Sequence, residues 1–297
     1  MSRTRRLLLV PVTMLVVALL TFCLLELVPG DPAATRLGAT SSEAARAALR
    51  AALGLQGGAL ARLLRYLSHL ARFDLGRSLV DGRAVRDKIF ERLPITFALA
   101  LVSSALAWTI ALPLALRRAG RGAAGRFEFV DLLFGLIYAV PVPALAIALL
   151  ALGAPYGAST STVAVAALCL SPLLVPRVYS QALRALDEAL RSDEARTLRS
   201  VGASPRRVAR AALRSAALRL VTLASLQLPA LLSGAVLVEA IFGLPGLGLL
   251  AFDALAGRDQ PVLLGLVIVG AALSIGTAAL VDLAAPLLDP RLRPERT

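Results

Sequence analysis

Very little in this chain could make or break a bond. Its 297 residues hold one histidine, His69, one lysine, Lys88, and two cysteines, Cys23 and Cys169. A metal centre asks for His, Cys or carboxylate ligands at short, regular spacings, and these residues stand far apart. Ser103 and Ser104 lie in an apolar run, but no histidine lies in any such run to activate them as nucleophiles. A phosphate-binding loop reads G-x-x-x-x-G-K-[ST], whereas Lys88 sits in VRDKIF. The sequence therefore predicts no catalytic residue, no metal site and no cofactor bound by this chain. The remaining candidate chemistry is recognition, in RTLRSVGASPRRVARAALR over residues 196–214. Gly202 suits the left-handed turn that ends a helix. Ser204 suits an N-cap and Pro205 a first helical position. Arg196, Thr197, Gly202, Ala203, Ser204, Pro205, Arg206 and Arg207 would then form a basic corner between two helices. By residue type alone the corner is either an ordinary basic loop that anchors topology or a docking element for a cytoplasmic partner.

The elements that must position this corner are apolar. Hydrophobic residues make up 58 % of the chain, against roughly 45–50 % in soluble domains, and they are gathered in blocks. Six blocks approach the ~20 residues that a membrane-crossing helix needs: 7–28, 95–116, 130–152, 162–178, 217–242 and 262–287. The first reads as an uncleaved anchor, since its apolar run exceeds a secretory h-region and no small-x-small site follows. The fourth is the weakest, with Pro172, Pro176 and Arg177. The two cysteines fall inside these blocks and read as packing residues.

The formal net charge of +13 could suggest nucleic acid, but its placement argues for topology. With the N-terminus inside, the short cytoplasmic segments carry Arg117, Arg118, Arg121 and Arg126, then the corner, then Arg291, Arg293 and Arg296. The short outer segments are nearly free of positive charge. That is the positive-inside pattern, so no nucleic-acid partner is expected. The long outer segment, 29–94, begins VPGDPAA and holds two amphipathic stretches, one capped by Ser42, that suit the membrane surface. The chain is expected to be all-α: one helical membrane domain over 1–297, with 29–94 as an external amphipathic loop and 181–216 as a cytoplasmic loop.

Thr222, Ser225, Pro229 and Ser233 fall near one face of the fifth span, and Gly270, Ser274 and Thr277 near one face of the sixth. Small residues on a face serve helix packing or a pore lining. Glu239 lies near a span end, where a carboxylate can reach water, and reads as an interfacial anchor or an outer-gate contact. Arg177, late in the fourth span, reads as a snorkelling side chain.

The corner resembles the cytoplasmic coupling loop of ABC importer permeases, most closely the dipeptide/oligopeptide (peptide/nickel) branch. VEAIFGLPGLGLLAFDALAGRDQPVLLG (238–265), VDLAAPLLDPRLR (281–293), LVPGDPAA (27–34), DLGRSL (74–79) and ERLPITFALAL (91–101) are similar to that branch, in the same order along nearly the whole chain. Leu198 and Arg219 depart from it, as does VPVPALAI in the third span. The resemblance implies a six-helix type I importer permease of the bacterial inner membrane, multi-pass, with both termini cytoplasmic. It implies a second homologous permease subunit completing the pore as a heterodimer. Two ABC ATPase subunits would carry the ATP and Mg, and an extracytoplasmic substrate-binding protein would deliver a peptide. Membrane lipid surrounds the whole. The corner would seat in the ATPase, the fifth- and sixth-span faces would line the path, and Glu239, Phe242, Pro245 and Gly246 would serve the outer gate. The alternatives are a permease for nickel complexes or another small solute, an ion-gradient-driven secondary transporter, and a non-transport membrane scaffold.

Overall fold

The computed structural model describes residues 3–27, 42–52, 57–119, 128–153 and 163–288. These form eleven helices: α1 Arg3–Leu27, α2 Glu43–Ala52, α3 Ala59–Ala71, α4 Val85–Ala119, α5 Glu128–Ala139, α6 Val142–Gly153, α7 Val163–Leu190, α8 Asp193–Ser200, α9 Pro205–Phe242, α10 Leu247–Ala256 and α11 Gln260–Leu288. The described residues contain no strand, only an isolated antiparallel bridge between Arg77 and Ala84.

Helices α4 and α7, and α11 over Gln260–Ala279, are long and apolar enough to cross a membrane. Among the described residues, two bent pairs bring the number to as many as five. In α1 the described apolar part is Pro11–Leu24. The third apolar block is expected as one span but is two helices, α5 and α6, meeting at 88°. The reason is local. Pro141 and Pro143 each lack an N–H, and each disfavours helical geometry in the residue before it. The fourth block, weakest by composition, is an unbroken helix through Pro172 and Pro176. Neighbouring helices bury fourteen of its residues, and such packing holds a proline-bearing helix together.

The chain forms two compact bodies. One comprises Met1–Ile95 and Pro245–Ile275, the other Thr96–Leu244 and Gly276–Thr297. In the first, Val85, Ile89, Leu250, Ala254 and Val262 form the core, and Phe22 of α1 stacks on Tyr66 of α3 at 5.9 Å. Ser42 caps α2 by accepting the Ala45 N–H at 3.2 Å. In the second body the core is rich in alanine: Ala107, Ala111 and Ala115 of α4, Ala182, Ala185 and Ala189 of α7, and Ala212 and Ala216 of α9. Recurrence every three or four residues puts each set on one helix face. In lipid, where association cannot rely on a hydrophobic drive, small residues let backbones approach and gain dispersion contacts.

Candidate coupling elbow and buried polar contacts

The basic corner folds as two capped helices. The apolar run carries α7 to Leu190, where Ser192 starts α8. Its hydroxyl accepts the Ala195 N–H and donates to the Ala189 carbonyl at 2.6 Å. Arg199 Nη1 reaches back to the Leu190 carbonyl at 3.0 Å, satisfying an acceptor that the end of α7 leaves open. The sequence suggests continuous helix over 187–200; the structure breaks it at Arg191 and Ser192, because a serine N-cap offers the backbone a better partner than a mid-helix serine would.

At the other end of α8 the chain reverses through Gly202, at φ +69°. The Ala203 N–H bonds to the Leu198 carbonyl and the Gly202 N–H to the Arg199 carbonyl, both at 3.0 Å. This is the paired pattern of a Schellman turn. Ser204 occupies the N-cap position of α9 with Pro205 first in the helix, although the serine side chain makes no capping bond. From this turn α9 runs without interruption to Phe242.

Thr197, Gly202, Ser204, Pro205, Arg206 and Arg207 are exposed, and Ala203 is half-buried. Behind them Arg199, Ala203, Pro205 and Val208 border a cleft of about 340 Å³ that reaches Leu116 and Leu190. Arg196 pairs with Asp193 at 3.5 Å, both in solvent, which is worth only ~0.3–0.5 kcal/mol. Arg206 and Arg207 stand in the first turn of α9, which carries no acid. Positive charge there opposes the helix dipole at a cost of ~0.3–1 kcal/mol each. These two side chains therefore do nothing for the local fold, and their position suits a partner surface.

Deeper contacts were invisible in the sequence. Glu239 is fully buried and accepts the Thr96 hydroxyl at 2.7 Å, so it does not reach water as its place near a span end suggests. Its backbone carbonyl accepts the Leu244 N–H at 2.9 Å, and α9 ends there at Gly243, in left-handed conformation. Trp108 Nε1 donates to Gln227 Oε1 at 3.2 Å. In the first body Asp259, 1 % exposed, accepts the Ser78 hydroxyl and the Leu79 N–H at 2.9 Å. Lys88 Nζ donates to Ser78 Oγ at 3.2 Å and pairs with Asp81 at 2.8 Å. For Asp81, partial burial pulls the carboxyl upward, but Lys88, Ser78 and the Arg83 amide outweigh it and hold it at about 2. Asp74 is likewise held below the usual carboxylate range, first by the Gly76 amide and then by His69. DLGRSL is thus a clamp on Asp259, a pairing that only partners 181 residues apart could reveal.

Of the path candidates, Thr222 and Ser274 turn their hydroxyls to carbonyls one turn back, Leu218 at 2.9 Å and Gly270 at 2.8 Å. Thr277 is on the same helix as Ser274. The side chains of Ser225, Pro229 and Ser233 lie outside the described residues. So do the segments matched at 28–34 and 289–293, and the side chain of Asp282. Of the gate candidates, Phe242 and Gly246 are buried like Glu239, and Pro245 is exposed. Arg219, a departure from the expected pattern, pairs with Glu188.

Residues 119–294 match the model of the binding-protein-dependent transport system inner membrane component. Residues 3–100 match the N-terminal membrane component of the same systems. The chain belongs to this family. It has the type I ABC importer permease fold and is a multi-pass inner-membrane permease component of an ABC transporter. Among its relatives, a permease protein of Brucella abortus (strain 2308) named for a peptide transport system is 33 % identical, over 94 % of this chain and 95 % of that protein. A glutathione transport system permease protein of Salmonella paratyphi A is 30 % identical over 95 % of both chains. A dipeptide transport system permease protein of Bacillus subtilis is 28 % identical, over 95 % of this chain and 94 % of that one.

Proposed function

We propose that this permease forms half of the pore of an ATP-driven importer of peptides, and that the α8–α9 elbow couples it to a separate ATPase. The observation that carries the coupling is continuity. The corner, with Thr197, Gly202 and Ser204 exposed and Ala203 half-buried, passes through a hydrogen-bonded turn directly into α9 at Pro205, and α9 then runs unbroken to Phe242. Force applied at the elbow reaches the pore without crossing a flexible joint, which suits a two-state element biased from both ends. The peptide cargo rests on the names of the relatives from Brucella and Bacillus.

In this reading segment 29–94 is external, segment 181–216 and both termini are cytoplasmic, and the chain has no ATPase site of its own. ATP and Mg act on two partner ATPase subunits. A second, homologous permease completes the pore as a heterodimer, and an extracytoplasmic binding protein delivers the cargo. The family match lends no support to an ion-gradient-driven transporter.

The experiment is site-directed cross-linking in the assembled complex. Ser204→Cys should cross-link to the ATPase subunit, and only a membrane-permeant thiol reagent should label it in intact cells. Labelling by an impermeant reagent, or a purified active complex with no ATPase at Ser204, would overturn the proposal.

A further inference from the structure

We propose that a cleft in the second body, lined by none of the elbow or path candidates, holds the headgroup of an anionic phospholipid. The cleft measures about 730 Å³ and lies between the end of α4, the helix α5 and the second half of α7. Its charge is lopsided. Arg118, Arg177 and Arg184 line it against a single acid, Asp131. Arg118 already engages that acid and also donates to Tyr179 Oη at 3.0 Å. Tyr179 is buried and meets Phe134 edge-on at 5.0 Å, so the floor of the cleft is fixed by packing.

The other two arginines are left over. Arg177 and Arg184 stand two turns apart on one face of α7, both exposed, and neither enters an ion pair among the described residues. Between them Gln181 has a buried Oε1 with no hydrogen-bond partner. A buried polar atom left unpaired costs stability unless something fills its site, and a flipped amide would present a donor instead. Two free guanidinium groups and an amide are a donor set for a phosphodiester.

Lipid, rather than free anion, is indicated by what adjoins the cleft. Leu132 and Leu136, one turn apart on α5, are each 61 % exposed, and Tyr138 is exposed at its lining. An apolar face beside a basic cleft at the end of a span matches a molecule with acyl chains and a charged head.

The test is lipid retention by the purified full-length chain, read by native mass spectrometry after exchange into detergent with phosphatidylglycerol or phosphatidylcholine. Wild type should retain phosphatidylglycerol in preference to phosphatidylcholine. Arg177→Gln with Arg184→Gln should weaken that retention roughly thirtyfold, about fivefold per arginine. The charge-matched pair Arg210→Gln with Arg214→Gln, on α9, should retain it. If the double variant at the cleft fails to fold, Gly135→Phe replaces it. Gly135 lines the cleft and a Cβ there meets nothing within 4 Å, so the substitution starts without a backbone clash, and the added ring should occupy the cleft and also expel the lipid. Equal loss in the two charge-matched pairs, unchanged retention in both cleft variants, or displacement by millimolar inorganic phosphate would each overturn the proposal. The readout needs no transport, so it stands or falls apart from the importer reading.

Discussion

The hydroxyl of Thr96 donates to the carboxyl of Glu239 at 2.7 Å, and both side chains are buried. The bond joins α4 to the last turn of α9, one turn before that helix ends at Gly243. A buried carboxylate without a donor costs stability in any medium, and more in a bilayer. The pair therefore fixes where the long helix α9 meets its neighbour.

Thr96→Val keeps the shape of the side chain and removes the donor. We expect it to destabilise the folded protein by about 1–3 kcal/mol, read as a lower Tm in detergent. Thr96→Ser should restore most of the loss. Equal Tm values for the valine variant and wild type would show that the contact contributes nothing.

Gly202 gives a cleaner test of the elbow. A Cβ added there meets nothing within 4 Å, so within this chain a substitution acts first through the left-handed backbone, which costs an L-residue ~1–2 kcal/mol. Gly202→Val, β-branched, should insert into the membrane but lose transport and ATPase stimulation. Gly202→Asn, which tolerates that conformation, should keep both. If the valine variant transports normally, the shape of the turn is irrelevant to coupling.

Asp259 organises the loop that carries DLGRSL. Asp259→Ala strips the Ser78 hydroxyl and the Leu79 N–H of their shared acceptor, at a cost on the order of 2 kcal/mol or more. Amide hydrogen exchange should accelerate across residues 76–84. Asp259→Asn keeps one acceptor oxygen and should be milder. Unchanged exchange in the alanine variant would show that the clamp is dispensable.

The ion pair between Asp81 and Lys88 predicts an acid limb. The Asp81 carboxyl is held at about 2, below the ~3.9 of an unfolded chain. A lowered carboxyl pKa stabilises the folded state above the unfolded value, and the contribution fades as pH falls toward 2. The Tm difference between wild type and Asp81→Asn should be constant from pH 7 to about 5, shrink below about pH 4 and vanish only below about 2. A difference that grows on acidification would reverse the assignment.

The local features of this protein are legible in its sequence. The corner at Gly202, Ser204 and Pro205 is foreseen because turn and cap preferences act within a few residues, and the apolar blocks because solvent acts on each segment in turn. The break at Pro141 also has a local cause, but the length of the apolar run around it outweighs two prolines in a linear reading. What only the tertiary structure decides are the contacts between distant segments: Thr96 with Glu239, Ser78 with Asp259, Trp108 with Gln227, and the arginines gathered from α4 and α7 around one cleft. Each joins residues tens to well over a hundred positions apart. No spacing rule relates them, because which side chains meet is set by how whole helices pack, and that depends on every other contact at once.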